Sequence, residues 1–215
     1  MSKKLVIFDL DGTIINTVKD LNAGINYALR ENGFEEKSVE HTAKAIGNGI
    51  AKTIWRSLPE GTSEEMHLKC FNDFRSYYKE HYLDYSIPYD GMLDTLVELK
   101  RRGYFLAVAT NKLHEIAVNI VEHFFPNVFD LIQGEGKNFS PKPNPEMINY
   151  VINTLSIDKT KVTYVGDSEV DILSAETAHI PLILVNYGFH RGEEFFQNKS
   201  VPHIDTPNEL LDLLF

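Results

Sequence analysis

Apolar residues fall into two rhythms along this chain. Short, nearly unbroken runs occupy Lys4–Phe8, Tyr104–Ala109, Lys161–Val165 and Pro181–Val185, with a weaker one at Phe129–Gln133. Such runs suit strands buried on both faces of a parallel sheet. Between them the apolar positions recur at helical spacing. One set is Met92, Leu93, Leu96, Val97 and Leu99; the next is Ile116, Ala117, Ile120, Val121 and Phe124; the last is Met147, Ile148, Val151, Ile152 and Leu155. Strand alternating with amphipathic helix predicts an α/β fold with a parallel sheet.

The stretch from Thr17 to about Asp84 breaks the alternation. It holds no convincing strand. Leu21, Ile25, Ala28 and Leu29 have helical spacing, and Gly33 stands where a helix would stop. Ser38, Gly47, Asn48 and Gly49 punctuate the next part, and Glu64–Leu83 reads as one long helix rich in aromatic residues. The chain leaves this stretch at Pro88-Tyr89-Asp90-Gly91. The pattern predicts a helical subdomain inserted after the first strand.

Composition narrows the class without changing the fold. Hydrophobic residues make up 43% and charged residues 24% of 215 residues, an ordinary balance for a soluble globular chain. The net charge of −10 argues against nucleic acid or an anionic membrane as a partner. The apolar run after the two N-terminal lysines is broken at Asp9, too soon for a signal peptide or a membrane span. A cytoplasmic location is expected. Cys70 is the single cysteine, so neither an internal disulfide nor a thiolate cluster is possible. The histidines, among them His114, His123 and His179, lie at unrelated spacings that do not suit zinc. Trp55, Tyr77, Tyr78, Tyr82 and Tyr85 read as packing of the helical segment, not as base-stacking platforms.

Ligands of open α/β sheets bind at the carboxyl ends of the strands. The first strand ends in Asp9-Leu10-Asp11-Gly12-Thr13 and the second in Thr110-Asn111. A later loop carries Ser140-Pro141-Lys142-Pro143, and another strand ends in Gly166-Asp167-Ser168-Glu169-Val170-Asp171. Taken singly these have plainer readings: a strand followed by a turn, a helix cap, a solvated lysine. Together they fall on one edge of one sheet. Clustered carboxylates repel unless a cation joins them. Asp9 and Asp167 suit Mg²⁺, which takes one or two carboxylates plus water and phosphate oxygens. With charge neutralised, Asp9 can attack phosphorus as a nucleophile. Asp11 can serve as general acid and then base, and Gly12 permits the turn beside it. Thr110 and Asn111 offer donors to a phosphoryl group, and Lys142 a fixed charge between two prolines.

These four sets, in this order, resemble the motifs of the haloacid dehalogenase superfamily, and the likeness covers essentially the whole chain. It implies a Rossmann-like core at residues 1–14 and 84–215 and a cap at 15–83. It implies a Mg²⁺ site made by Asp9, the Asp11 backbone carbonyl and Asp167, with Asp171 in support. The superfamily's dehalogenases lack the second aspartate, so Asp11 points to phosphoryl transfer. Ile46-Gly47-Asn48-Gly49, followed by Arg56, is most similar to the phosphoglycolate phosphatases. Gly47, Asn48 and Gly49 could bring backbone N–H groups to a substrate carboxylate, while Lys52 and Arg56 share a helical face. Asn16-Thr17 departs from the Asp-Ser of many relatives. The expected reaction is hydrolysis of a small phosphorylated metabolite, first 2-phosphoglycolate, by a monomer or homodimer. The rival readings are a β-phosphoglucomutase-type transfer to a sugar, a pyrophosphatase or nucleotidase, and a phosphate-sensing module without catalysis.

Overall fold

The structure, a computed structural model, describes residues 3–47, 49–136, 139–189 and 201–214. Contacts divide the chain into two compact units. One runs to Asn16 and resumes at Pro88; the other is Thr17–Ile87.

The first unit is built on a six-stranded sheet. Its strands are β1 (Lys4–Phe8), β4 (Tyr104–Leu113), β5 (Leu131–Glu135), β6 (Val162–Gly166), β7 (Leu182–Val185) and β8 (His203–Ile204). They lie in the order β5-β4-β1-β6-β7-β8, and every neighbouring pair is parallel. Helices α5 (Met92–Arg101), α6 (His114–Phe124), α7 (Glu146–Leu155) and α8 (Glu169–Ala178) connect the strands, and α9 (Leu210–Leu213) closes the chain. Successive side chains alternate between the two faces, as a pleated strand imposes, and both faces are buried. Leu5 and Ile7 join a cluster with Met147, Val151 and Ala175. Phe8, on the other face, meets the edge of Phe129 at 6.1 Å. The sheet is covered on both sides, which is why its strands read as continuous apolar runs.

Two differences from the sequence reading bear on the site. The strand expected to end at Ala109 continues to Leu113, with a register irregularity between Thr110 and Leu113. The weaker strand candidate lies two residues later than expected, at Leu131–Glu135.

The second unit is helical throughout: α1 (Val18–Glu31), α2 (Val39–Ala45), α3 (Ile50–Ser57) and α4 (Glu64–His81). Gly24 of α1 lets α4 approach closely, since a Cβ there would stand 2.8 Å from the Phe74 ring. Leu21, Ile25, Ala28, Leu29, Cys70, Phe74 and Tyr78 form its core. Tyr78 is packing, as its helical position suggests, whereas Trp55 and Tyr85 are more than half exposed. Cys70 is fully buried. Buried Asp20 accepts hydrogen bonds from the Tyr85 and Ser86 N–H groups and the Ser86 hydroxyl, at 2.8, 2.8 and 2.6 Å. That tie holds the residues after α4 to α1, so the helical unit extends to Ile87 where the sequence alone suggested residue 83. The short strands β2 (Ile15–Asn16) and β3 (Ile87–Pro88) form a separate two-stranded pair. Among the described residues no helix is long and apolar enough to cross a membrane.

Candidate active site

Register alone assembles the site. Phe8 pairs with Val108 on one side and with Val165 on the other. One residue further along each strand lie Asp9, Ala109 and Gly166, and the next residues are Leu10, Thr110 and Asp167. Asp9 stays in the sheet through its N–H, which donates to Val165 O at 2.9 Å. The chain then turns at Gly12, whose φ is +85°. A Cβ on Gly12 would stand 2.3 Å from an Asp167 carboxylate oxygen, so the turn and the second carboxylate require the bare backbone there.

Lys142 is the centre of the charge pattern. Its side chain is buried, and its ammonium lies 2.8 Å from Asp171 Oδ1, 3.0 Å from Asp9 Oδ1 and 2.7 Å from the Tyr164 hydroxyl. The first and third are directed hydrogen bonds. The approach to Asp9 lacks hydrogen-bond geometry, and Asp9 Oδ1 has no hydrogen-bond partner although it is buried. Asp171 is the opposite case. Its Oδ2 accepts from the Asp167 and Ser168 N–H groups and the Ser168 hydroxyl, at 3.2, 3.0 and 2.7 Å. Both of its oxygens are committed to protein donors, so it orients the others. Asp167 accepts from the Thr13 hydroxyl and from the Phe189 N–H, at 3.2 and 2.8 Å.

The proton affinities follow. Burial raises Asp9 to about 6 against the lowering pull of Lys142. Burial, with Asp171 and Asp9 nearby, raises Asp167 well above the usual carboxylate range. Burial also opposes charge on Asp171, but Lys142 and the Ser168 donors outweigh it and hold Asp171 low. Lys142 stays charged because Asp171 and Asp9 outweigh its burial.

The carboxylates of Asp9, Asp167 and Asp171 come within 4.8 Å of one another. A divalent ion fits this set on two grounds. Asp9 Oδ1 is buried with the Lys142 ammonium at 3.0 Å but no directed hydrogen bond, and the three carboxylates offer a set of hard oxygen donors. Four carboxylates, Asp11 included, face two ammonium groups, Lys142 and Lys112, which leaves two formal negative charges.

Asn111 makes contacts within the protein. Its carboxamide accepts from Lys142 N–H at 2.7 Å and donates to Lys142 O at 3.1 Å, clamping the lysine's loop. Thr110 is buried beside it. In the second unit, Arg56 donates to Ala45 O at 2.8 Å and so braces the end of α2. Lys52 is exposed, and Gly47 and Gly49 have φ of +124° and +84°. Asn48 lies outside the described residues.

Residues 6–185 match the family described as haloacid dehalogenase-like hydrolase. The chain belongs to that family. The hydrolase is 30% identical to a phosphoglycolate phosphatase of Aquifex aeolicus over 214 residues, 98% of this chain and 96% of that one. It is 29% identical to the same-named enzyme of Aliivibrio fischeri over 197 residues, 88% of this chain and 87% of the other. Its structure matches that of a predicted phosphoglycolate phosphatase from Haemophilus somnus with TM-score 0.89 and 28% identity, covering 99% and 98% of the two chains. This hydrolase is a phosphatase.

Two of its site residues escaped the sequence reading. Tyr164 carries a hydroxyl, like its neighbour Thr163, inside the otherwise apolar strand β6, and that was the available signal. Its hydroxyl accepts from Lys142 and lies 3.1 Å from Ala109 O and 3.2 Å from Asp171 Oδ1. Tyr164→Phe removes a buried acceptor from the Lys142 ammonium. We expect a loss of roughly 1–2 kcal/mol of stability, read as a few degrees in Tm, and a fall in kcat/KM of about tenfold. A phenylalanine variant as stable and active as the parent would show that the other two contacts suffice to hold Lys142. The second missed residue is Lys112, adjacent to the Thr110-Asn111 pair.

Proposed function

We propose that this phosphatase hydrolyses a small phosphomonoester, 2-phosphoglycolate first among them, through an aspartyl-phosphate on Asp9, with Mg²⁺ and in the cytoplasm. The observation that carries the reading is the Asp9 carboxylate at the end of the first strand, ion-paired with buried Lys142 at 3.0 Å and within 4.8 Å of the Asp167 and Asp171 carboxylates. Asp171, by contrast, has both oxygens committed to directed hydrogen bonds.

Asp9, Asp167 and the Asp11 carbonyl would hold the ion, with Asp171 in support. When bound, it neutralises carboxylate charge and polarises the phosphoryl group. Asp9 attacks phosphorus, the bond to the leaving oxygen breaks, and Asp11 gives that oxygen its proton. Asp11 then takes a proton from water, whose oxygen displaces Asp9 from phosphorus. Lys142 supplies a fixed positive charge to the phosphoryl oxygens, and Thr110 a hydroxyl donor. The candidates for reading the substrate's own carboxylate are backbone N–H groups around Gly47 and Gly49, together with Arg56 and, less centrally, Lys52.

The test is a panel of 2-phosphoglycolate, sugar phosphates, nucleotides and pyrophosphate assayed with Mg²⁺. The highest kcat/KM is expected for 2-phosphoglycolate. For Arg56→Ala we expect kcat/KM on that substrate to fall by about one to three decades, the range for removing a partner of a ligand carboxylate. Hydrolysis of an aryl phosphate should change little. A parallel fall on both substrates would reduce Arg56 to the brace it forms with Ala45.

A further inference from the structure

Lys112 is a buried lysine with a carboxylate partner at the one residue proposed to move protons. Its ammonium lies 2.9 Å from Asp11 Oδ1 and 3.2 Å from Oδ2, and its side chain is 5% exposed against 16% for Asp11. The backbone beneath is shaped for this. The β4–β5 register shifts between Thr110 and Leu113, and Lys112 N–H donates to the Thr110 hydroxyl at 3.3 Å. Gly134 on β5 makes the bend possible: a Cβ there would stand 2.5 Å from Lys112 O. The strand end is thus fitted closely to β5 in a way that sends a long cationic side chain across to the turn after β1.

From this arrangement we propose that Lys112 is the positioning residue of the general acid–base: it orients the Asp11 carboxyl toward the leaving oxygen and then toward water. The inference rests on Asp11 having that role. Asp11 follows the strand and sits beside a glycine turn. An ammonium that straddles both oxygens fixes the plane of the carboxyl. It can keep one oxygen as acceptor while the other carries the transferable proton. Proton transfer demands hydrogen-bond reach to the leaving atom, so a fixed carboxyl places its proton where the oxygen departs. In the first step the phosphorus–oxygen bond breaks, the leaving oxygen keeps the electron pair and takes the Asp11 proton, and Asp9 bonds to phosphorus. In the second step Asp11 takes a proton from water as the water oxygen bonds to phosphorus and Asp9 leaves. Lys112 exchanges no proton in either step.

The experiment compares Lys112→Met, Lys112→Gln, Asp11→Asn and the Asp11→Asn/Lys112→Met double variant. Substrates are 2-phosphoglycolate, with an alkoxide leaving group, and 4-nitrophenyl phosphate, whose leaving group needs no proton. kcat/KM reports only the steps up to release of the leaving group. For Lys112→Met it should fall about 10- to 100-fold on 2-phosphoglycolate, as expected for a misplaced acid, with KM nearly constant. On 4-nitrophenyl phosphate it should fall less than about threefold. Slow hydrolysis of the intermediate should then appear as a burst of nitrophenolate close to one per enzyme. Nothing in a general loss of packing produces that burst. The double variant should be no slower than Asp11→Asn. Lys112→Gln, which keeps a neutral N–H donor one bond shorter, should recover only part of the loss, and it stands in if the methionine variant fails to fold.

Equal losses on both substrates, or additive losses in the double variant, would overturn the positioning role. So would a rise in KM confined to 2-phosphoglycolate, which would make Lys112 a reader of the substrate carboxylate. If Asp11→Asn itself slows both substrates equally in kcat/KM, the acid role of Asp11 is what fails, and the inference falls with it.

Discussion

Asp9→Asn yields a protein that folds, gains stability in the absence of metal, and turns over on the order of 10³-fold more slowly or worse. The activity loss follows because an amide cannot form the acyl phosphate. The gain in stability follows from the site's charge. Burial raises the Asp9 carboxyl to about 6, above its ordinary value of 3.8. A carboxyl that binds its proton more tightly when folded favours the folded state below the unfolded pKa, and that advantage is lost as pH rises through 6. Above that pH the parent holds a buried charge it would rather hold in water. Asparagine never ionises. At pH 8, without metal, the variant should be more stable than the parent by up to about 3 kcal/mol, and near pH 4 the two should coincide. Chemical denaturation at the two pH values, alongside a phosphatase assay, measures both effects. Turnover within about tenfold of the parent would remove Asp9 from the nucleophile's role. A variant less stable than the parent at pH 8 would mean that the Asp9–Lys142 ion pair outweighs burial.

Removing divalent metal should abolish activity altogether, and Mg²⁺ should restore it. Ca²⁺ should inhibit, because a larger and looser coordination shell misplaces the nucleophile against phosphorus. A second readout does not depend on turnover. Asp9 and Asp167 both hold protons more tightly than ordinary carboxyls because they are buried near other acids. An arriving dication must displace those protons, so binding should release protons near pH 6 and tighten as pH rises. Calorimetry in two buffers of different ionisation enthalpy counts them. Saturating Mg²⁺ should also raise Tm, by the equivalent of about 2.7 kcal/mol once the ion is at 100 times its Kd. Asp167→Asn should lose most of that shift. Full activity after chelation, or a Tm indifferent to Mg²⁺, would break the metal reading at its base.

The apolar runs and the helical spacings, by themselves, determined the alternation of strand and helix and the helical interruption after the first strand. Both are local properties: periods of 2 and 3.6 are written in consecutive residues. The convergence of the segments that carry Asp9, Lys142 and Asp167 was also legible, because the carboxyl ends of parallel strands, and the loops beyond them, can be counted once the strands are placed. What the sequence could not supply was partnership across the sheet. Asn111 reads as a donor to phosphate, and only the fold shows its carboxamide closed on the Lys142 backbone. Arg56 reads as a solvated or ligand-facing charge until Ala45 O comes into hydrogen-bond reach. Tyr164 reads as one more β6 side chain until the packing buries its hydroxyl against Lys142. Lys112 reads as the residue after a motif, since its meaning depends on a glycine on β5 and a carboxylate in the turn after β1. A hydrogen bond acts over about 3 Å, whatever the sequence separation. Lys112 and Asp11 are 101 positions apart. Their pairing exists only because the parallel register brings the ends of β4 and β1 together.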